Sequence, residues 1–149
     1  MQLEFREFNP FDVWIWLELD TVPAPMEQQY IEEVFDSWFF LGKLGAYNAE
    51  NLQAQEAGID LSYLAYSDDT ADGSLMALMH NMGEVEFAGT RVRCWFDLGT
   101  SDALCLDLLI NALRQLSREY VPIRRLSIGG EDVDWPLAEG DRPTSKFAT

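Results

Sequence analysis

Between Phe11 and Leu19 apolar residues fill both phases of a two-residue period. Val13, Ile15, Leu17 and Leu19 point one way, while Trp14 and Trp16 share the other side with Glu18. Apolar residues on both sides predict a central strand covered on both faces. Ahead of it, Phe5 and Phe8 before Asn9-Pro10 suggest a short lead-in strand. Pro23 and Pro25 then break the chain and the period lengthens. Met26, Tyr30, Val34, Trp38 and Leu41 form a helical stripe, broadened by Ile31, Phe35 and Phe39, with Glu27, Gln28, Glu32, Glu33 and Asp36 opposite. The spacing predicts a helix from Met26 to Leu44. Glu27 and Lys43 sit at the ends where the helix dipole favours them, and Gly42 and Gly45 supply the stop.

The alternation returns at Gly58–Tyr66, a second strand, and Ser74–Asn81 has the spacing of a short helix. Glu84–Phe87 and Thr90–Asp97 flank Ala88-Gly89 and read as a hairpin. With a two-residue loop, Glu86 faces Arg91, Val85 faces Val92 and Glu84 faces Arg93. Val92, Cys94, Phe96 and Leu98 then turn to the core, and Arg93, Trp95 and Asp97 turn away. Gly99-Thr-Ser-Asp102 opens another helix, with Thr100 or Ser101 as cap, whose stripe is Leu106, Leu109, Ile110, Leu113 and Leu116. Pro122 closes that helix. Ile123–Ile128 is a last strand, ended by Gly129-Gly130.

The order is strand, long helix, strand, short helix, hairpin, long helix, strand. It predicts an α+β fold, ferredoxin-like or related: a mainly antiparallel sheet with two long helices on one face and one extra short helix. One domain is expected over residues 1–136, followed by a polar, flexible tail over 137–149.

Charge narrows the partners. The 149 residues carry a net charge of -16, which repels phosphate backbones and anionic headgroups. Nucleic-acid and membrane-surface binding are therefore not expected, and membrane insertion is not expected either, because no apolar stretch approaches the ~18 residues of a span. Residues 1–72 hold 15 acids against Arg6 and Lys43 alone. That imbalance either serves solubility or meets a basic partner. The N-terminal MQLEFREFNPF lacks the pattern of a secretory leader. Cys94 and Cys105 have no disulfide-like or metal-like spacing. Both read as small core hydrophobes in a cytoplasm-like, reducing compartment.

Candidate chemistry is sparse. With His80 as the single histidine, a multi-histidine metal site is excluded. Walker A, GxGxxG and GxSxG patterns are absent, and Gly129-Gly130-Glu131-Asp132 is too acidic for a phosphate loop. Asp68, Asp69 and Asp72 lack the spacing of a calcium loop. No catalytic residue, metal ligand or cofactor is expected.

The segments FREFNPFDVWIWLELD, QYIEEVFDSWFFLGKLGAYNAENLQ, SLMALMHNMGE, RCWFDLGTSDALCLDLLINALRQLSREY and IGGEDVDWP resemble a family of uncharacterised cyanobacterial and chloroplast proteins, a domain of unknown function. The resemblance spans roughly residues 3–136. It implies cytoplasm or plastid stroma and brings no catalytic residues with it.

Together these readings favour a non-enzymatic protein-binding module, an assembly or regulatory factor in a photosynthetic organism. The alternative is a small-molecule sensor or enzyme with a carboxylate and aromatic cleft on the sheet. Strand alternation sends Trp14, Trp16 and Trp95 to the face away from the helices, with Asp12, Glu18, Arg93 and Asp97 beside them. Three tryptophans make a patch too large to leave wet. A homodimer or other protein partner covers this surface, or else the first ten residues or the C-terminal tail fold back over it.

Overall fold

The computed structural model describes residues 1–47 and 78–136. Among them the chain forms β1 (Gln2–Phe5), β2 (Val13–Leu19), α1 (Pro25–Lys43), β3 (Asn81–Met82), β4 (Glu86–Ala88), β5 (Arg91–Asp97), α2 (Leu104–Glu119) and β6 (Ile123–Ile128). The expected strand at Gly58–Tyr66, most of the expected short helix, the aspartates at 68, 69 and 72, and the tail lie outside the described residues.

The strands make one mixed sheet in the order β1-β6-β2-β5-β3, with β4 also paired to β5. β2 runs antiparallel to both β5 and β6, as a doubly apolar strand at the centre should. The lead-in segment forms β1, which pairs in parallel with β6 and sets Phe5 opposite Ile128. Both helices lie on the face made by Val13, Ile15, Leu17, Val92, Cys94, Phe96, Leu126 and Ile128. Ile31, Phe35, Trp38, Phe39, Leu109 and Leu113 pack there into one buried cluster. Trp38 donates its indole N–H to the Cys105 carbonyl at 2.8 Å, tying α1 to the start of α2. The fold is thus α+β, as the pattern predicted.

α1 follows its expected bounds closely. Pro25 opens it, and the Glu27 carboxylate accepts the Ala24 N–H at 2.9 Å. Three local expectations are corrected. The short helix does not reach Asn81: residues 78–80 are not helical, and Asn81–Met82 pair with Asp97 and Phe96 of β5. Edge pairing to a buried strand outweighs helical spacing in so short an apolar run.

The hairpin register is also different. Glu86 pairs with Arg93, Phe87 with Val92 and Ala88 with Arg91. The reason is the turn: Gly89, at φ +61°, takes the left-handed position and the loop is Gly89-Thr90. A loop at Ala88-Gly89 would ask an alanine to adopt that conformation, which its Cβ disfavours. The slip is two residues, so every side chain keeps its face. Lastly, α2 starts at Leu104 rather than after Thr100 or Ser101. The Asp102 carboxylate accepts the Leu104 N–H at 3.1 Å, and the Thr100 hydroxyl instead accepts the Leu78 N–H at 3.2 Å.

Candidate functional site

The face opposite the helices is where the sequence placed its tryptophans. β2–β5 pairing sets Trp14 opposite Trp95 and Trp16 opposite Arg93. These side chains form a second buried cluster, but a fourth ring completes it: Trp135, beyond β6. Trp14, Trp16, Trp95 and Trp135 are only 4, 5, 8 and 3% exposed. The surface expected to await a partner is covered by the chain's own residues 129–136. The cover comes from the turn after β6; the tail over 137–149, one of the expected covers, lies outside the described residues.

The fastening is specific. Gly129 donates its N–H to the Trp14 carbonyl at 2.8 Å, and its carbonyl accepts the Arg6 Nε–H at 2.7 Å. Gly129 has φ +97°, and a Cβ there would sit 2.4 Å from the Arg6 carbonyl, so glycine is required for the close approach. Trp16 donates its indole N–H to the Gly130 carbonyl at 3.1 Å. Asp132 pairs with Arg6 at 2.8 Å and with Arg91 at 3.1 Å, and Asp134 pairs with Arg91 at 3.2 Å. Trp135 meets Trp16 edge-on at 5.6 Å. Burial raises the Asp132 pKa, but hydrogen bonds and charge from Arg6 and Arg91 outweigh it and hold the carboxyl below its usual value.

Arg93 is the hub. Its guanidinium lies 4.1 Å from the Trp14 ring and 4.8 Å from the Trp135 ring. Two hydrogen bonds to Glu86, at 3.1 and 3.2 Å, balance its charge. The observed hairpin register is what brings Glu86 opposite it. A buried guanidinium needs this combination of paired charge and ring faces.

The remaining predicted site residues divide. Asp12 joins the tryptophans by accepting the Trp95 indole N–H at 2.7 Å. Glu18 lies at the far end of β2, 3.6 Å from Arg124. Asp97 points to the other end of the sheet, where it accepts the Gly99 N–H at 2.9 Å and stands 3.4 Å from His80 Nδ1. His80 is half exposed and against the Phe11 ring, and residues 78–80 are not helical. Sequence reasoning missed Trp135, Arg6, Arg91, Asp132 and Asp134. The signal was the lone Trp in IGGEDVDWP, a large ring inside an acidic turn.

Arg6 Nη2 and Trp135 Nε1 are buried without a hydrogen-bond partner among the described residues.

A different concavity opens on the outer side of the helix layer. Between α1 and α2 lies a groove of about 430 Å³, walled by Tyr30, Val34, Trp38, Leu41, Tyr47, Leu108, Ala112, Leu116 and Tyr120. Glu33 and Ser37 are its polar members on α1. Tyr30 and Tyr120 close one end with ring centres 5.2 Å apart, and Tyr47 stacks on Trp38 at 6.5 Å. Burial, then the nearby Cys105 thiol, push the Tyr47 phenol up to about 12, so it stays neutral. Leu41 and Tyr120 are exposed, as are Met26 and Phe40 on the same helix as Leu41 and Leu44 at its end.

With the geometry established, the family can be placed. The model of a family described as "Protein of unknown function (DUF3531)" matches residues 1–142. The chain belongs to that family. Both the tryptophan face with its covering segment and the helix groove fall inside the matched region, so both belong to the DUF3531 domain rather than to an appendage. No match is found among curated proteins or solved structures. Among the described residues no helix is long and apolar enough to cross a membrane, and no three or more His, Cys, Asp or Glu side chains group to hold a metal ion.

Proposed function

We propose that this DUF3531 chain is a protein-binding module whose docking surface is the groove between α1 and α2. The observation that carries the reading is the groove's chemistry. It is lined almost wholly by hydrocarbon and ring surface and bordered by acidic residues of α1. Grooves between helices take the apolar side of an amphipathic helix, with anchors spaced at i, i+3, i+4 and i+7. Exposed Glu33 and the neighbouring Glu32 and Asp36, in a molecule of charge -16, favour a partner helix flanked by Lys or Arg. The surface of Trp14, Trp16 and Trp95, expected from strand alternation to meet a partner, is less suited to first contact because those rings are buried.

The resemblance to cyanobacterial and chloroplast proteins supports an assembly or regulatory role in a photosynthetic organism, in cytoplasm or stroma. The strand order β6-β2-β5, with short β3 and β4 outside β5, supports a ferredoxin-like core extended by β1.

The test is a labelled cationic amphipathic helix titrated by fluorescence anisotropy against the wild-type chain and Leu41→Glu. Leu41 is half exposed on the groove wall, so the variant should fold. Saturable binding to the wild type, weakened tenfold or more in Leu41→Glu, is expected. Equal binding by both would remove the groove from the interaction. A large thermal shift with a small apolar metabolite and none with peptides would favour the small-molecule reading instead.

A further inference from the structure

Beside the covering segment, the same sheet face keeps an open polar bowl of about 170 Å³. Glu4 of β1, Arg125 and Ser127 of β6, Glu18 of β2 and Arg91 of β5 line it, with Arg6 and Asp132 along one wall. Three arginines meet three carboxylates there, so the bowl is balanced in charge although the chain carries -16. Most of these groups serve the fold. Arg6 and Arg91 hold Asp132, at 2.8 and 3.1 Å, and the Ser127 hydroxyl donates to the Glu4 carboxylate at 3.2 Å.

Glu18 and Arg125 are the exception. Strand register sets Glu18 directly opposite Arg125 on one side and Arg91 on the other. Opposite charges so placed ordinarily pair, because their Cβ atoms stand only about 4.5–5.5 Å apart. Among the described residues, neither arginine comes within ion-pairing distance of Glu18. Its cation is Arg124 at 3.6 Å, a residue outside the lining of the bowl. Arg125 reaches only Glu4, at a loose 3.9 Å, and donates no side-chain hydrogen bond among the described residues. The space between this carboxylate and this guanidinium is the bowl itself.

We infer that the bowl binds a small zwitterion, an α-amino acid, with its carboxylate on Arg125 and its ammonium on Glu18. The chemistry of the two loosely paired groups selects that class. A guanidinium fork matches a carboxylate and a carboxylate accepts from an ammonium, so one molecule answers both. Balanced walls favour a ligand of zero net charge over phosphate or another anion, which the field of the whole chain repels. The volume is below the about 300–1,000 Å³ of drug-sized sites, which suits an amino acid rather than a nucleotide. Trp16 supplies an apolar wall for the ligand's side chain. The helices pack on the opposite face of the sheet, so this site does not rest on the groove between them.

Isothermal titration of the full-length chain with glycine and the proteinogenic L-amino acids, each up to about 10 mM, tests this. At least one should bind saturably. Its N-acetyl derivative, which lacks the ammonium, and its carboxamide, which lacks the carboxylate, should each bind at least tenfold more weakly. Glu18→Gln and Arg125→Gln should weaken the free amino acid by the same factor. Their side chains are 39 and 45% exposed and belong to neither buried cluster, so both variants should fold. Amide chemical-shift changes in the wild type should centre on Glu18, Arg125 and Ser127. Absence of binding by every amino acid overturns the inference. Equal binding of the N-acetyl derivative overturns it as well, since only an anion site would then remain. Shift changes centred on the α1–α2 groove would place the ligand there and overturn it too.

Discussion

Trp38 joins three parts of the molecule through one side chain. Its ring meets Phe96 edge-on at 5.0 Å, its N–H reaches the Cys105 carbonyl, and its outer edge walls the groove. Truncation to alanine leaves a large cavity and an unpaired carbonyl. Trp38→Ala should lose about 3–5 kcal/mol of stability, measured as a lowered denaturant midpoint. An unchanged midpoint would mean that the ring is not core. Cys105, beneath it, is 1% exposed. Burial first, then Asp102 and Asp107, push its thiol up to about 12, so it acts as a packing residue rather than a nucleophile. Arg93 shows the limit of reading residues singly. Alternation assigns it to the polar-out side of a strand, yet four tryptophans and Glu86 make that side a second interior.

At the scale of elements, the covering segment Glu131–Pro136, a strap across the tryptophan face, ties the end of the edge strand β1 to the middle of the sheet. It leaves β6, crosses β2 and reaches β5, while Arg6 at the end of β1 holds its first half. Its electrostatics have a definite sign. The Asp132 carboxyl is held below its ordinary pKa, so its contribution is present above about pH 4, the unfolded value, and is lost as pH falls through the lower folded value. Asp132→Asn should therefore be less stable than the wild type at pH 7. The gap between their denaturant midpoints should close as the pH is lowered from about 5 towards 3. A gap that stays constant over that range would show that the Arg6 and Arg91 contacts do not act through the carboxylate's charge. The hairpin teaches a related point. Its faces were legible from alternation, but its pairing depended on which residue could take φ +61°.

For the whole molecule, charge is the dominant property. Several of the arginines between residues 91 and 125 pair with acids: Arg91 with Asp132 and Asp134, Arg93 with Glu86, Arg124 with Glu18 and Asp20, and Arg125 with Glu4. The aromatic sheet face that a single-stranded nucleic acid would need is buried besides. Anisotropy titrations with labelled single-stranded RNA and DNA at physiological salt should stay flat into the micromolar range. Tight, salt-sensitive binding would overturn the charge argument.

By itself the sequence determined which segments are long and amphipathic, because helix and strand periods are local properties of the chain. α1, α2, β2, β5 and β6, with the helix-side core, follow from that. It also identified Trp14, Trp16, Trp95 and Arg93 as one face, because alternation is strict within a strand. Only the tertiary structure decided what lies on that face. Trp135 reaches it across more than a hundred residues of sequence, through a glycine joint and ion pairs to Arg6 and Arg91. No periodicity encodes such a contact: it arises when β1, β5 and β6 are brought into one sheet. The helix groove is of the same kind. Its walls are two legible stripes, but the gap between them is set by how both helices settle on the sheet.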